Sequence, residues 1–102
     1  MSIGQVWFLY KKMYNGQGVY ILKSQKNLRY YIGSTNDISR RLRQHCKGDV
    51  KATMNIRPLE LVFFQNYDQL AIARKIEYKL KKLKNKNILE RIIKEKAIKL
   101  GP

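Results

Sequence analysis

The sequence predicts an α+β fold, in which a small three-stranded antiparallel sheet is flanked by helices in the order β-β-α-β-α-α. Two observations support this prediction. Apolar and aromatic residues form two short runs, at 19–22 and 30–32, that are separated by a polar break, as in a β-hairpin. Farther along the chain, apolar residues recur at spacings of three and four, as on one face of a helix. We expect the first strand to be central.

The register of the hairpin decides whether its tyrosines share a face. A register that pairs Tyr20 with Tyr31 places both phenols on one side of the sheet, because directly paired residues share a face. Gln25 and Lys26 stand at the turn, and neither is the glycine that two-residue hairpin turns prefer. The sequence therefore predicts the hairpin and leaves its register open.

A helix is expected to follow the hairpin and to begin near Asn36. Gly33 ends the second strand, and the polar residues 34–37 are N-cap candidates. Arg41 and His45 are four residues apart and would lie along the edge of this helix, where they could converge with the two phenols. The expected buried stripe of the helix consists of apolar residues at a spacing of four, namely Ile38, Leu42 and Cys46.

The remaining elements follow from further apolar patterns. Residues 59–67 are nearly continuous in apolar character at their centre, which predicts a third strand covered on both faces, as a central strand would be. Asp68 is a candidate N-cap for the next helix. Two amphipathic helices follow, separated by the polar residues 84–87. Their apolar stripes are Ala73, Ile76, Leu80 and Leu83 in the first helix, and Ile88, Leu89, Ile92, Ile93 and Ala97 in the second.

Length and charge restrict the class of protein. The chain has 102 residues, enough for one domain, and 22 Lys and Arg against 7 Asp and Glu give a formal net charge of +15. Such an excess predicts attraction to a polyanion, of which nucleic acid is the first candidate. A small ribosome-associated protein that binds RNA is the alternative. The net charge alone does not distinguish a protein that only binds nucleic acid from an enzyme that acts on it.

The number of cysteines and the hydropathy of the sequence indicate the cellular compartment. The single Cys46 excludes an internal disulfide, which fits a reducing cytoplasm. One His and one Cys are too few for a structural zinc site within a monomer. No stretch of the sequence approaches the roughly 20 apolar residues that span a bilayer. We therefore expect a cytoplasmic protein without a membrane partner.

Two tripeptides carry a resemblance to a known family. GVY at 18–20 and YIG at 31–33 stand eleven residues apart from tyrosine to tyrosine, and Arg41 and His45 follow within the run RRLRQH. This arrangement resembles the GIY-YIG nuclease family, and among its members it is most similar to the small stand-alone bacterial proteins. The resemblance continues through Gly48, Thr53, Arg57, Pro58 and Glu77.

The resemblance also implies the domain limits. Residues 18–99 would form a GIY-YIG-like nuclease domain, and residues 1–17 would be an N-terminal extension of uncertain order. The apolar run VWFLY at 6–10 is compatible with an extra strand or a flap, and a docked extension, a poorly ordered tail and an upstream start of the reading frame remain open.

The resemblance implies a metal-dependent endonuclease that hydrolyses DNA phosphodiester bonds. Tyr20 would be the base that activates water, and Tyr31 would position water or phosphate by hydrogen bonding. Arg41 would contact the phosphate, and His45 would bind the phosphate or relay a proton. Glu77 would hold one divalent metal ion, Mg²⁺ or alternatively Mn²⁺.

The same residues have ordinary structural interpretations. Glu77 and Lys81 are four residues apart on a predicted helix, and as a surface ion pair they would contribute only about 0.2–0.5 kcal/mol. The chain is poor in carboxylates, so the composition supports at most a one-metal scheme. Neither Asn85 nor Asn87 can be assigned to the late asparagine that larger family members carry. The alternative is therefore a non-catalytic module that binds DNA or ribosomal RNA.

The basic residues predict how nucleic acid would be held. Of the 22 Lys and Arg residues, 11 lie between Arg74 and Lys99, so half of the positive charge is on the last two helices. DNA is the expected substrate, in repair or recombination, and a protein partner could supply targeting because no recognition element is appended. The candidate nucleic-acid contacts are Lys23, Arg40, Lys51, Arg57, Lys81 and Lys84.

Overall fold

The structure is a computed structural model that describes residues 15–101, and it confirms the α+β fold and the expected order of elements. No helix within 15–101 is long and apolar enough to cross a membrane. The apolar run at 6–10 lies outside the described residues. The elements are β1 (Gly18–Ser24), β2 (Tyr30–Thr35), α1 (Ile38–Lys47), a short 3-10 turn (Met54–Ile56), β3 (Leu59–Asn66), α2 (Leu70–Leu83) and α3 (Lys86–Glu95).

The three antiparallel strands lie in the order β2, β1, β3, which confirms that the first strand is central. β3 has a partner on one side only among the described strands, so the expectation of a central third strand is wrong. The apolar run of β3 is explained instead by its irregular pairing with β1. The register against β1 shifts between Ile21 and Leu22, so Phe63 pairs with Ile21 whereas Leu61 pairs with Leu22. Phe63 and Leu61 thereby enter the cores on opposite faces of the sheet.

The hairpin register differs from the predicted one by two residues. Tyr20 pairs with Gly33, and Leu22 pairs with Tyr31, because the chain turns through a longer loop in which Ser24 N–H donates to the Arg29 carbonyl at 2.9 Å. A shift of two residues leaves every side chain on its original face. The prediction that both phenols share a face is therefore confirmed although the predicted pairing is wrong.

Helices cover both faces of the sheet. α1 packs on the face that carries Tyr20, and α2 and α3 pack on the opposite face. Every side chain of the central strand is consequently buried apart from the partly exposed Lys23. The buried set on the α1 face is Tyr20, Leu22, Ile38, Leu42 and Leu61, and the set on the other face is Val19, Ile21, Ile32, Phe63, Ala73, Ile76, Leu80, Ile92 and Ile98.

α1 differs from its predicted stripe at one position. The helix begins at Ile38, and the side chain of Asp37 caps it by accepting from the Arg40 N–H at 3.1 Å. The third buried residue is His45, which is 1% exposed, whereas Cys46 is only half-buried. Positions i, i+4 and i+7 face the sheet here, so His45 takes the place that the spacing of four gave to Cys46.

Two details of the C-terminal helices also correct the expectations. Gln69, and not Asp68, is the N-cap residue of α2, and the backbone carbonyl of Asp68 accepts from the Gln17 side-chain amide at 2.6 Å. Leu83 is 49% exposed because α2 ends there, at Lys84 in a left-handed conformation. Asn85 caps α3, with its side-chain oxygen accepting from the backbone N–H of the second and third residues of the helix.

Residues 15–17 are attached to the sheet and to α1. The carbonyl of Gly16 accepts from the Ile38 N–H at 2.9 Å, and the carbonyl of Gln17 accepts from the Tyr67 N–H at 3.1 Å. The side-chain amide of Asn66 donates to the Asn15 carbonyl at 2.9 Å. The segment that leads into β1 is therefore held at both the start of α1 and the end of β3.

Candidate active site

Tyr20 is the centre of a buried hydrogen-bonded group on the α1 face of the sheet. It is fully buried on the central strand, and its phenol oxygen lies 2.9 Å from Nε2 of His45. Arg41 Nε donates to the same oxygen at 3.3 Å. Because Arg41 and His45 are one helical turn apart, the packing of α1 against this face brings both side chains to one phenol. The predicted convergence of Tyr20, Arg41 and His45 is thus present.

The sequence predicted His45 at the edge of α1, but its side chain is fully buried. Its Nδ1 lies 2.7 Å from the hydroxyl oxygen of Thr53, which is 0% exposed. Burial, assisted by the charge of Arg41, lowers the pKa of His45 from 6.5 to about 4. The imidazole is therefore neutral at pH 7 and lies within hydrogen-bonding distance of both Tyr20 and Thr53.

The depressed pKa of His45 predicts a stability that depends on pH. The unfolded chain binds a proton near pH 6.5 and the folded protein only near pH 4, so folding is most favoured above pH 6.5 and weakens as the pH falls toward 4. Between pH 7.5 and 5 the loss should be about 2 kcal/mol. Urea unfolding across this range measures it. The matched control is His45→Gln, whose stability should fall less steeply; equal slopes would contradict the prediction.

Tyr31 completes the aromatic part of the site on β2, an outer strand of the sheet that residues 15–101 form. Its ring centroid lies 6.4 Å from that of Tyr20 and 5.4 Å from that of His45. Lys81 Nζ lies over the Tyr31 ring at 5.6 Å from the centroid. Tyr31 is only partly buried, so it connects the buried group at Tyr20 with the surface of the protein.

The surroundings of Tyr20 have opposing effects on the pKa of its phenol. Burial raises the pKa of Tyr20 from 10.0 to about 12, the hydrogen bond and charge of Arg41 lower it, and Tyr31 and Glu77 raise it. The phenol is therefore protonated at neutral pH. Further positive charge near Tyr20 is needed to favour the phenolate.

Glu77 reaches the site from the opposite face of the sheet. It lies on α2, and one carboxylate oxygen accepts from the hydroxyl of Ser34 on β2. The other oxygen lies 2.6 Å from Lys81 Nζ, and the Glu77 side chain is 19% exposed. The ion pair with Lys81 is therefore present, and it joins the partly buried Glu77 to a Lys81 side chain that is 48% exposed. The negative charge of Glu77 is the smallest of the influences that raise the pKa of Tyr20, after burial and Tyr31.

Gly33 allows the Tyr20 ring to lie across β2. A β-carbon at this position would lie 2.3 Å from both Cζ and the hydroxyl oxygen of Tyr20. Any larger residue would therefore displace the phenol from its place beside His45 and Arg41. The requirement for glycine is one of close approach, and not of backbone conformation.

Gly33→Ala is accordingly expected to destabilise the fold by about 1–3 kcal/mol through overpacking, with a weakened contact between Tyr20 and His45. Denaturant unfolding measures the free energy. Gly101→Ala is the matched control, since a β-carbon there meets nothing within 4 Å. If the two variants are equally stable, Tyr20 does not pack on Gly33.

Two basic grooves open on either side of Glu77 along α2. The first lies toward the start of α2 and includes Ser34 of β2, and the second lies toward its end and includes Tyr31. Among residues 15–101 neither groove is lined by a carboxylate. The cations of the first groove are Arg40, Arg41 and Arg74, and those of the second are Arg29, Lys81, Lys84 and Lys86.

The remaining candidate nucleic-acid contacts lie outside these grooves. Lys23 Nζ lies over the Tyr30 ring, 5.7 Å from its centroid, and Lys51 is exposed in the loop after α1. The guanidinium of Arg57 donates to the carbonyls of Met54 at 3.0 Å and Cys46 at 3.4 Å. Arg57 therefore ties its loop to the end of α1.

Sequence reasoning did not assign four residues that the structure brings to the site, namely Ser34, Gln44, Thr53 and Arg74. Ser34 and Glu77 are 43 residues apart, so no local pattern links them. Gln44 accepts from Arg41 Nη1 at 3.1 Å. Thr53 lies in the stretch that resembles the family, which was the one available signal for it.

The side chains at Glu77 suit one cation that keeps most of its water ligands, and not an ion that needs several protein ligands. No group of three His, Cys, Asp or Glu side chains comes together within the described part of the chain. Glu77 is a single carboxylate with part of its surface open to solvent. Mg²⁺ keeps several waters and needs few protein carboxylates, so this arrangement suits it better than it suits an ion that requires a complete protein cage.

Comparison with known proteins gives consistent matches. The model of the GIY-YIG catalytic domain matches residues 16–91. A UPF0213 protein of Vibrio parahaemolyticus is 36% identical over 81 residues, which cover 78% of this chain and 74% of that protein. For one of Clostridium perfringens the identity is 37% over 82 residues, covering 79% and 86%. For UPF0213 protein YazA of Bacillus subtilis it is 36% over 73 residues, covering 71% and 73%. No solved structure gives a significant match.

Proposed function

This chain belongs to the GIY-YIG family of catalytic domains, and on that premise we propose that it is a metal-dependent endonuclease that hydrolyses DNA phosphodiester bonds. The observation that carries the proposal is that two unlike groups lie on opposite faces of β2. A buried phenol, contacted by Arg41 and His45, stands on one side of the strand, and the carboxylate of Glu77 comes from the other.

Tyr20 is proposed as the base that accepts a proton from water. Its oxygen already lies within reach of two nitrogen atoms, Nε of Arg41 and Nε2 of His45, and N–H donors at these positions favour the phenolate. Tyr31 would position water or a phosphate oxygen at the open side of the site. Arg41 would hold the phosphate, since its partly buried guanidinium has donors in a planar fork.

Glu77 is proposed to hold one divalent ion, Mg²⁺ or Mn²⁺. When bound, such an ion would supply positive charge to the phosphate and to the attacking water. Ser34 holds one oxygen of the carboxylate, and Lys81 would release the other when the ion binds. The partial exposure of Glu77 gives a hydrated ion access to it.

DNA is proposed to follow the two basic grooves, with the scissile phosphate between them. Arg40, Lys81 and Lys84 belong to these grooves, and the net charge of +15 favours any polyanion. The contacts available are mostly to phosphate, so they support binding without sequence preference. A cytoplasmic role in DNA repair or recombination, with targeting by a protein partner, completes the proposal.

A non-catalytic nucleic-acid-binding module is the second candidate. One observation favours it: Asn85, one of the two asparagines that could have supplied the late family asparagine, uses its side-chain oxygen to cap α3. A module of this kind would use the same grooves to bind DNA or ribosomal RNA. It would need no metal ion.

Incubation with supercoiled plasmid tests the two candidates. Protein freed of metal by chelation is assayed with Mg²⁺, with Mn²⁺ and with EDTA, on supercoiled, single-stranded and branched DNA. Nicking that requires the metal supports the nuclease. Salt-dependent binding to all substrates and to RNA, with no cleavage of any of them, supports the binding module instead.

A further inference from the structure

The loop between β1 and β2 carries a leucine into solvent in an unfavourable backbone conformation. Leu28 is 56% exposed, more than any other leucine among residues 15–101, and its φ is 62°. This left-handed conformation is disfavoured for leucine because the β-carbon approaches the following carbonyl oxygen. The other residues of this kind in the described part of the chain, Lys84 and Lys96, lie directly after helices, where the conformation is common. That explanation does not apply to Leu28, which lies between two strands.

The surroundings of the loop hold Leu28 in this conformation. The N–H of Leu28 donates to the carbonyl of Ser24 at 2.9 Å, and the hydroxyl of Ser24 donates to the carbonyl of Ile56 at 2.6 Å. The N–H of Gln25 donates to the carbonyl of Pro58 at 2.8 Å. The loop is therefore fixed against the segment that precedes β3, and the leucine side chain is presented to solvent from a rigid support.

Leu28 lies in the wall of the second basic groove, the one that includes Tyr31. Arg29, the next residue in the chain, lines the same groove, and so does Lys81. Lys81 Nζ lies over the Tyr31 ring and 2.6 Å from a carboxylate oxygen of Glu77. The groove therefore leads from the candidate active site to the tip of the hairpin.

Phosphate groups account for the cations of this groove, but they do not account for an exposed leucine. The apolar surfaces that DNA offers beside its phosphates are the faces of its bases. A single exposed leucine is common on protein surfaces. Leu28 differs because glycine or asparagine would adopt its backbone conformation at a lower cost, so the local backbone gives no reason for a leucine at this position.

We propose that Leu28 is a wedge that enters the base stack of bound DNA and separates two neighbouring bases. Arg29 and Lys81 would hold phosphates beside it, and such contacts offset the cost of unstacking. The inference rests on the part of the proposed function that concerns DNA binding, and it does not depend on cleavage.

A wedge at this place would also determine which DNA is preferred. Opening a base step costs least where the stack is already weakened, as at a mismatch, a nick or a branch. The groove itself offers mostly phosphate contacts, which carry no sequence information. Leu28 would therefore select DNA by how easily its stack opens, without contacts that read the sequence.

Fluorescence of duplexes that carry 2-aminopurine tests the wedge, because this base analogue brightens when it is unstacked. The protein is bound in EDTA, which prevents metal-dependent cleavage. We expect the wild type to raise the fluorescence at one place along the duplex, Leu28→Met to do the same, and Leu28→Asn to lose the rise. Leu100→Asn is the matched control, since Leu100 is 39% exposed and lines neither basic groove. The salt dependence of binding should be equal in all four proteins because no charge changes.

Stability and cleavage separate contact with DNA from a structural role. Leu28→Asn should unfold at the same temperature as the wild type or a higher one, since asparagine tolerates the left-handed conformation. It should cleave an intact duplex about tenfold more slowly or worse, and a mismatch at the opened step should restore most of the rate.

The binding measurement decides the inference whether or not the protein cleaves DNA. DNA bound by the wild type with no rise in fluorescence, or an equal rise in Leu28→Asn, overturns the wedge and leaves the proposed nuclease standing. A rise that depends on Leu28 in a protein that cleaves nothing supports the wedge and contradicts the nuclease. A protein that binds no DNA contradicts both.

Discussion

Tyr20→Phe is expected to slow phosphodiester cleavage by about 10²–10⁴-fold, the usual contribution of a general base. The substitution removes one oxygen and keeps the ring that packs on Gly33 and beside His45. The variant should also lose about 1–3 kcal/mol of stability, because Nε2 of His45 is left in a buried position without its partner. Initial rates of plasmid nicking at saturating metal measure the effect.

Tyr67→Phe is the matched control for Tyr20→Phe. It also removes a phenol oxygen that has a hydrogen-bond partner, the Gln65 side-chain amide at 3.0 Å, but Tyr67 packs against the core on the face away from α1. Its cleavage rate should equal that of the wild type. A Tyr20→Phe variant that is folded and as fast as Tyr67→Phe would remove Tyr20 from the role of base.

Glu77→Gln is expected to have the largest effect, a loss of at least about 10³-fold in cleavage, or about 4 kcal/mol of transition-state stabilisation. The amide oxygen can still accept from Ser34, so the local structure should persist while the charge that would hold the cation is lost. DNA affinity in the absence of metal should be unchanged or slightly higher, since a negative charge between two basic grooves has been removed. Nicking rates and binding at one salt concentration separate the two effects.

Glu90→Gln makes the same change of charge elsewhere. Glu90 also lies four residues from a lysine, with its carboxylate 3.8 Å from Lys86 Nζ, but it is 49% exposed on α3. This control should keep full activity. Equal activity in Glu77→Gln and Glu90→Gln would show that Glu77 holds no essential metal, and it would favour a contaminating nuclease or the binding module.

Local sequence patterns were sufficient for the elements and for the face that carries Tyr20 and Tyr31. Strands alternate with a period of two, so the error of two residues in the hairpin register did not move either phenol to the other face. The one-turn spacing of Arg41 and His45 likewise placed them together. These predictions agree with the structure because each depends on the geometry of a single strand or helix.

The parts that failed depend on how elements meet. The irregular pairing of β3 with β1, which sends Leu61 and Phe63 to opposite cores, has no signature in the strand that carries it. The same holds for α1. A spacing of seven from Ile38 leads to His45, and a spacing of four from Leu42 leads to Cys46, so the helical pattern allowed either residue to face the sheet. Packing against Tyr20 and Thr53 selected His45.

The sequence by itself determined the α+β order, the basic character and the tripeptides that relate the chain to its family. Only the tertiary structure decided that Ser34 holds Glu77 across 43 residues, that Thr53 contacts His45, and that Gly33 is required by the ring of Tyr20. The physical reason is that periodicity specifies which face of an element is buried, whereas the partner of a polar atom is set by the packing of one face against another.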